Sequence, residues 1–251
     1  MAAFARAFAD GADGIELDVR LARDGVPVII HDATLRRTGS TRGKIADMTS
    51  AQLATIDVGS CFNRKRARLA REEYAHERVP TLQQALELCR DRRGVVYIEL
   101  KSEVNAAKID LVRSVAALIK SFAFYDRATV VSFDLDSLAA IKKLDASIRT
   151  GALFALTRNE KQWRSEAIIS SAINCGANEV LLQRLLVRRK LIEKAVECNL
   201  PVVVWTVDDP EWLSRAEALG IRALITNDPA KLLTQRQHNA VVKTQGRTPT
   251  R

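Results

Sequence analysis

Glu16 and Asp18 stand two residues apart in Gly14-Ile15-Glu16-Leu17-Asp18-Val19, and Glu99 and Lys101 two apart in Val95-Val96-Tyr97-Ile98-Glu99-Leu100-Lys101. Alternate residues of a strand face opposite ways, so each pair shares one side. Ile15, Leu17 and Val19 on the first run, and Ile98 and Leu100 on the second, supply apolar faces that must pack against helices. The four ionisable groups are therefore expected to face an interior, where like charges are costly unless something neutralises them. Three carboxylates make an oxygen-only donor set. That set suits a hard divalent cation, Mg2+ or Ca2+, rather than zinc. The non-catalytic alternative is a salt-bridge cluster around Lys101.

A hairpin brings His31 to the same place. Val26 to His31 reads as a strand that follows Gly14 to Leu21 across Arg23-Asp24-Gly25. A two-residue Asp-Gly connection joins only antiparallel strands. Counting back from an Arg23–Val26 pair sets His31 opposite Asp18, with β-carbons about 5 Å apart. A histidine beside two carboxylates is an acid/base candidate. His76 and His238 lack such company.

The elements that must hold these residues follow from periodicity. Apolar runs at 95–100, 129–133, 151–156, 179–182, 201–207 and 222–226 alternate with helical stretches. Thr81 and Gln84 have capping-box spacing, as do Thr49 and Gln52. Asp209, Pro210 and Glu211 suit the start of a helix that Gly220 stops. Alternating strands and helices predict a parallel α/β sheet, and 251 residues suit a TIM-type (β/α)8 barrel. The hairpin strand is excluded from the barrel count because it runs antiparallel. Seven barrel strands then remain, beginning at 14, 95, 129, 151, 179, 201 and 222. The eighth would precede the helix from Met1 to Ala9. The expectation is a barrel with its first strand missing and a gap between Gly14–Asp18 and Ala223–Thr226. Such a chain is expected to be poorly soluble or nearly inactive until an upstream strand is restored.

Residues 33–80 fit no strand–helix unit and read as an insertion over the barrel mouth. Residues 1–234 form the expected domain, and 235–251 a basic, disordered tail. The chain carries 39 Lys and Arg against 30 Asp and Glu, a net +9. Lys231, Arg236, Lys243, Arg247 and Arg251 supply five of those charges at the C-terminus. With only 5% aromatics and none between Arg64 and Arg71, no nucleic-acid partner is expected. No apolar run approaches the ~20 residues of a membrane span. Cys61, Cys89, Cys175 and Cys198 form no Cys-x-x-Cys pair and read as reduced thiols in a cytoplasmic protein.

The motifs together resemble the glycerophosphodiester phosphodiesterases. The likeness rests on Gly14-Ile15-Glu16-Leu17-Asp18-Val19, Asp24-Gly25-Val26-Pro27-Val28, His31-Asp32, Val79-Pro80-Thr81-Leu82 and Ile98-Glu99-Leu100-Lys101. It continues through Val131-Ser132-Phe133-Asp134, Val204-Trp205-Thr206-Val207 and Ile225-Thr226-Asn227-Asp228-Pro229, in order from residue 2 to about 233. The resemblance implies hydrolysis of glycerophosphodiesters to glycerol 3-phosphate and an alcohol. It implies that Glu16, Asp18 and Glu99 hold the divalent metal and that His31 is one of two acid/base histidines. It further implies that Lys101 contacts the phosphate and that Trp205 lines the pocket against the glycerol moiety. In such enzymes the glycerol 2-hydroxyl is the expected nucleophile, giving a cyclic phosphate that water opens.

One departure separates the sequence from that pattern. The family opens on a strand ending in His-Arg, and the 251 residues begin inside the helix that follows it. The expectation is an upstream start. The alternative is an impaired homologue that binds phosphodiesters without turning them over. A lysophospholipase D-like activity, set by the insertion at 33–80, is a third reading.

Overall fold

The computed structural model describes residues 1–90, 92, 94–101, 106–156 and 164–235. The basic tail beyond 235 therefore lies outside the described residues. The strands are β1 (Gly14–Leu21), β2 (Pro27–Ile29), β3 (Val95–Leu100), β4 (Ala128–Ser132), β5 (Arg149–Phe154), β6 (Glu179–Gln183), β7 (Val202–Trp205) and β8 (Ala223–Leu224). They form one sheet in the order β2-β1-β3-β4-β5-β6-β7-β8. Every neighbouring pair is parallel except β1 with β2. Seven parallel strands, with only the antiparallel β2 outside them, match the sequence count. Among the described residues β8 does not pair with β1, so the sheet is open there.

Alternation divides the apolar side chains into two cores. Ile15, Leu17, Val19, Val96, Ile98 and Leu100 point outward and pack with the helices. Tyr97, Val131, Leu153, Leu181 and Val203 come from five successive strands and meet inside, with Trp205 and Ala223 against them. Side chains from β3 and β7 can share one cluster only if the sheet curls, which makes this a barrel-type fold. Gly151 is part of that fit. A β-carbon there would come within 2.4 Å of Leu181 Cδ1, so the missing side chain is space that Leu181 uses.

The helices between strands follow the expected signals. Thr81 Oγ1 accepts from the Gln84 amide and Gln84 Oε1 accepts from the Thr81 amide, opening α4 (Leu82–Arg90) with a full capping box. The same reciprocal pair, Thr49 with Gln52, opens the short α2 (Ser50–Leu53). The helix ended by Gly220 begins later than its cap residues suggest, at Trp212 rather than Pro210. Its first turn is tightened, with Trp212 and Leu213 amides donating three residues back to Asp209 and Pro210. Asp209 accepts from the Glu211 amide in the turn before it, so the expected cap residue shapes the approach rather than capping the helix itself.

The insertion has its own core. Leu35, Ile45, Leu53, Ile56 and Val79 bury against Val28 and Ala22 of the hairpin. It is a small packed layer rather than a loose loop. Short helical turns, including α3 (Ser60–Lys65), fill the stretch between.

Candidate active site

The in-register pairing of β1 with β3 builds the site. Asp18 lies beside Glu99 and Glu16 beside Tyr97, so three inward carboxylates occupy two adjacent rows of the barrel wall. Ligand atoms of Glu16, Asp18 and Glu99 all lie within 4.8 Å of one another. Lys101, one row higher, places Nζ 2.7 Å from Asp18 Oδ1 and 2.5 Å from Glu99 Oε1. All four sequence-predicted residues converge as expected, with Glu99 and Lys101 at the C-terminal end of β3, the end where barrels carry their chemistry, Asp18 beside Glu99 and Glu16 one row below.

Electrostatics set the character of the cluster. Burial, then the charges of Asp18 and Glu99, push the Glu16 carboxyl up to about 8, with Lys101 opposing the rise. Burial raises Glu99 as well, against the hydrogen bond and charge of Lys101. Despite its burial, Lys101 is held above the usual lysine range by hydrogen bonds to Asp18 and Glu99. One ammonium thus faces three carboxylates. The donor set is oxygen-only, crowded and short of positive charge, and such a set fits a hard divalent cation.

His31 reaches this neighbourhood by a different register from the one the sequence suggested. The hairpin pairs Val19 with Ile29, Arg20 with Val28 and Leu21 with Pro27. The loop holds three residues, Arg23-Asp24-Gly25, closed by a Gly25 amide to Ala22 carbonyl bond and a positive φ of 79° at Gly25. A three-residue loop with glycine in the left-handed position is as natural as the two-residue turn, and it shifts the register by one. The Ile30 amide, not His31, therefore faces Asp18, donating to its carbonyl. His31 sits just beyond β2 with its side chain 61% exposed. It still acts electrostatically on Glu99, favouring the ionised carboxylate.

A chain of contacts fixes His31 that sequence reasoning did not find. The Arg20 guanidinium donates twice to the His31 carbonyl, at 3.1 and 2.9 Å. His31 Nδ1 lies 2.7 Å from Asp32 Oδ1, and Arg37 grips Asp32 in a two-pronged pair at 2.6 and 3.0 Å. The Arg37 hydrogen bond, helped by His31, holds the Asp32 carboxyl down at about 2. An ionised Asp32 fixes the Nδ1 side of the ring and leaves Nε2 for chemistry. Adjacent His and Asp letters were the available signal. Arg37 gave none, because its role depends on how the insertion folds back.

Trp205 closes β7 at the same end of the barrel. Its indole meets Phe133 edge-on, with ring centroids 5.6 Å apart. It borders a cavity of about 570 Å3 that is also lined by Gln183, Arg184, Asp208, Trp212 and Lys231. Trp205 Nε1 is buried without a hydrogen-bond partner among the described residues, an uncommon state for an indole N–H. Sequence reasoning chose Trp205 but missed Arg184 and Lys231, which lie outside any strand pattern. A second buried acid, Glu179, opens β6 at the opposite end of the barrel, facing Arg149 and Arg222 at 3.9 and 3.7 Å. Its position at the strand starts separates it from the site.

The family model for the glycerophosphoryl diester phosphodiesterase family matches residues 1–231. A glycerophosphodiester phosphodiesterase of Caldanaerobacter subterraneus is 32% identical over 233 residues, covering 93% of this chain and 89% of that protein. Among solved structures, an Oleispira antarctica phosphodiesterase in complex with the product sn-glycerol-3-phosphate superposes with a TM-score of 0.81. It shares 22% identity, covering 94% of this chain and 90% of that one. A glycerophosphodiester phosphodiesterase from Agrobacterium tumefaciens superposes at 0.72 with 24% identity, covering 91% and 89%.

Proposed function

The chain belongs to the glycerophosphoryl diester phosphodiesterase family, and we propose that it hydrolyses glycerophosphodiesters to glycerol 3-phosphate and an alcohol in glycerophospholipid metabolism. The observation that carries the reading is the convergence of Glu16, Asp18, Glu99 and Lys101 on the inner face of the paired strands β1 and β3. Glu16, Asp18 and Glu99 would hold a divalent ion, Mg2+ or Ca2+. When bound, the ion would supply positive charge to a phosphodiester oxygen and lower the pKa of a nearby hydroxyl. Lys101 binds the phosphate and stabilises charge as it develops. His31, with Asp32 holding its Nδ1 side, moves a proton at Nε2. Residues 1–234 make up the catalytic domain. Four free cysteines are consistent with a reducing, cytoplasmic setting. Among the described residues no helix is long and apolar enough to cross a membrane.

The test is direct. Glycerophosphocholine or glycerophosphoethanolamine should release glycerol 3-phosphate, EDTA should stop the release, and Mg2+ or Ca2+ should restore it. Release of phosphocholine instead would assign the cleavage to the wrong bond and overturn the reading.

Trp205 has a narrower role in this scheme. Its indole packs against the glycerol part of the substrate from the wall of the cavity it borders. Trp205→Ala should raise KM for glycerophosphodiesters roughly 10-fold, the scale of one lost aromatic contact. The change in kcat should be much smaller. A variant with unchanged KM removes Trp205 from the substrate pocket.

A further inference from the structure

Positive charge, apolar exposure and a fixed backbone coincide on one part of the insertion. Residues 33–71 contain nine Lys and Arg against two acids, Asp47 and Asp57. Five of those cations fall between Arg64 and Arg71, where every residue is exposed. Among the described residues, Arg64, Arg66, Arg68 and Arg71 have no acidic partner. Beside them Leu69 is 63% exposed and Phe62 40% exposed.

The segment is tied down rather than loose. The Asn63 side chain donates to the Arg71 carbonyl at 2.7 Å and accepts from the Arg71 amide at 3.1 Å. Both ends of the basic stretch are thus clamped together. Phe62 rests edge-on against Tyr74 at 5.7 Å. Ordering this surface on contact with a partner costs little, because it is already ordered.

Its position is at the barrel mouth. Lys65 Nζ donates to the Arg37 carbonyl, and Arg37 holds Asp32 beside His31. Phe133 and Leu185, 44% and 57% exposed, follow the C-terminal ends of parallel strands β4 and β6, so they emerge at the same end. One end of the molecule therefore presents unpaired cations with apolar side chains among them.

We propose that residues 62–71 dock the protein on an anionic phospholipid surface, with the barrel mouth turned toward the lipid. Clustered cations meet the negative headgroup layer, while Leu69 and Phe62 reach the acyl boundary. Single-stranded nucleic acid is the weaker match to the same charge. It requires open aromatic faces on which bases stack, and the Phe62 ring is engaged by Tyr74. The docking is independent of the proposed reaction, since it is read without turnover. If both hold, the lipid surface concentrates amphiphilic glycerophosphodiesters at the mouth.

The experiment is co-sedimentation of the full chain with vesicles of phosphatidylcholine alone and of phosphatidylcholine mixed with phosphatidylglycerol. Binding should appear only with phosphatidylglycerol and should weaken as salt rises. A basic residue near an anionic surface contributes about fivefold in affinity. Arg64→Gln, Arg66→Gln and Arg68→Gln combined should therefore lower vesicle affinity on the order of 100-fold. All three are exposed, so hydrolysis of soluble glycerophosphocholine should not change. Leu69→Ser should reduce the part of the binding that survives high salt. Two results overturn the proposal: binding that persists in the triple variant but vanishes when 236–251 are deleted, or binding to single-stranded DNA that exceeds vesicle binding and is lost in the same variant.

Discussion

Glu16→Gln will abolish stabilisation by divalent ions and lower kcat by roughly 10²–10³-fold, the scale for removing one preorganised electrostatic group. The variant should nevertheless fold. Glu16 is held up at about 8 by burial and by the charges of Asp18 and Glu99, so near neutral pH it is largely protonated in the ion-free protein. Glutamine resembles that protonated form. The folded-state value lies above the unfolded value near 4.5. In the absence of an ion, this group's contribution is most favourable below that lower value and is lost as pH rises toward about 8. Glu16→Gln removes the loss. In EDTA at alkaline pH its Tm should therefore match or exceed that of the wild type, while Mg2+ or Ca2+ should raise Tm only in the wild type. Equal ion-induced shifts in both proteins would remove Glu16 from the ligand set.

His31→Ala should lower kcat by roughly 10²–10⁴-fold, the usual contribution of a positioned acid or base. Ion binding should survive, because His31 is not one of the clustered carboxylates. The backbone should survive as well, because Arg20 holds the His31 carbonyl and not its ring. A substrate with a good leaving group tells which proton His31 moves. If the histidine protonates the departing alcohol, a p-nitrophenyl ester should lose far less activity than glycerophosphocholine. If it deprotonates the nucleophile, both substrates should lose alike. A His31→Ala enzyme with full kcat on both would dismiss the residue from the reaction.

The carboxylates were legible in the sequence because strand alternation is a strong constraint. With Ile15, Leu17, Ile98 and Leu100 committed to the helical layer, Glu16, Asp18, Glu99 and Lys101 had one place to go. Parallel pairing of β1 with β3 then followed from the helices between strands. The hairpin was harder to read. Asp24-Gly25 satisfies a two-residue and a three-residue loop equally, and the choice moved the partner of Asp18 from His31 to Ile30. The ion pair of Arg37 with Asp32 lay beyond reach for another reason. It depends on the insertion folding onto Val28 and Ala22 around a core whose residues have no regular period. The same holds for Arg184 and Lys231, brought to the cavity by the 3-10 turn after β6 and by the helix after β8.

The unequal edges of β1 carry a consequence for the order in which the site loosens. Odd residues of this strand turn their backbone toward β3, as the carbonyls of Asp13 and Val19 show by accepting from Val95 and Lys101. Even residues turn the other way, where Asp18 and Ala22 meet the hairpin. Glu16 is even but lies below the paired stretch Val19–Leu21, so its peptide faces the edge that no described strand covers. Its amide proton should trade with solvent far sooner than that of Leu17, its immediate neighbour. Breathing of the barrel would begin at that peptide. The carboxylate raised by burial and by its charged neighbours thus sits on a stretch of β1 whose outer edge no described strand pairs.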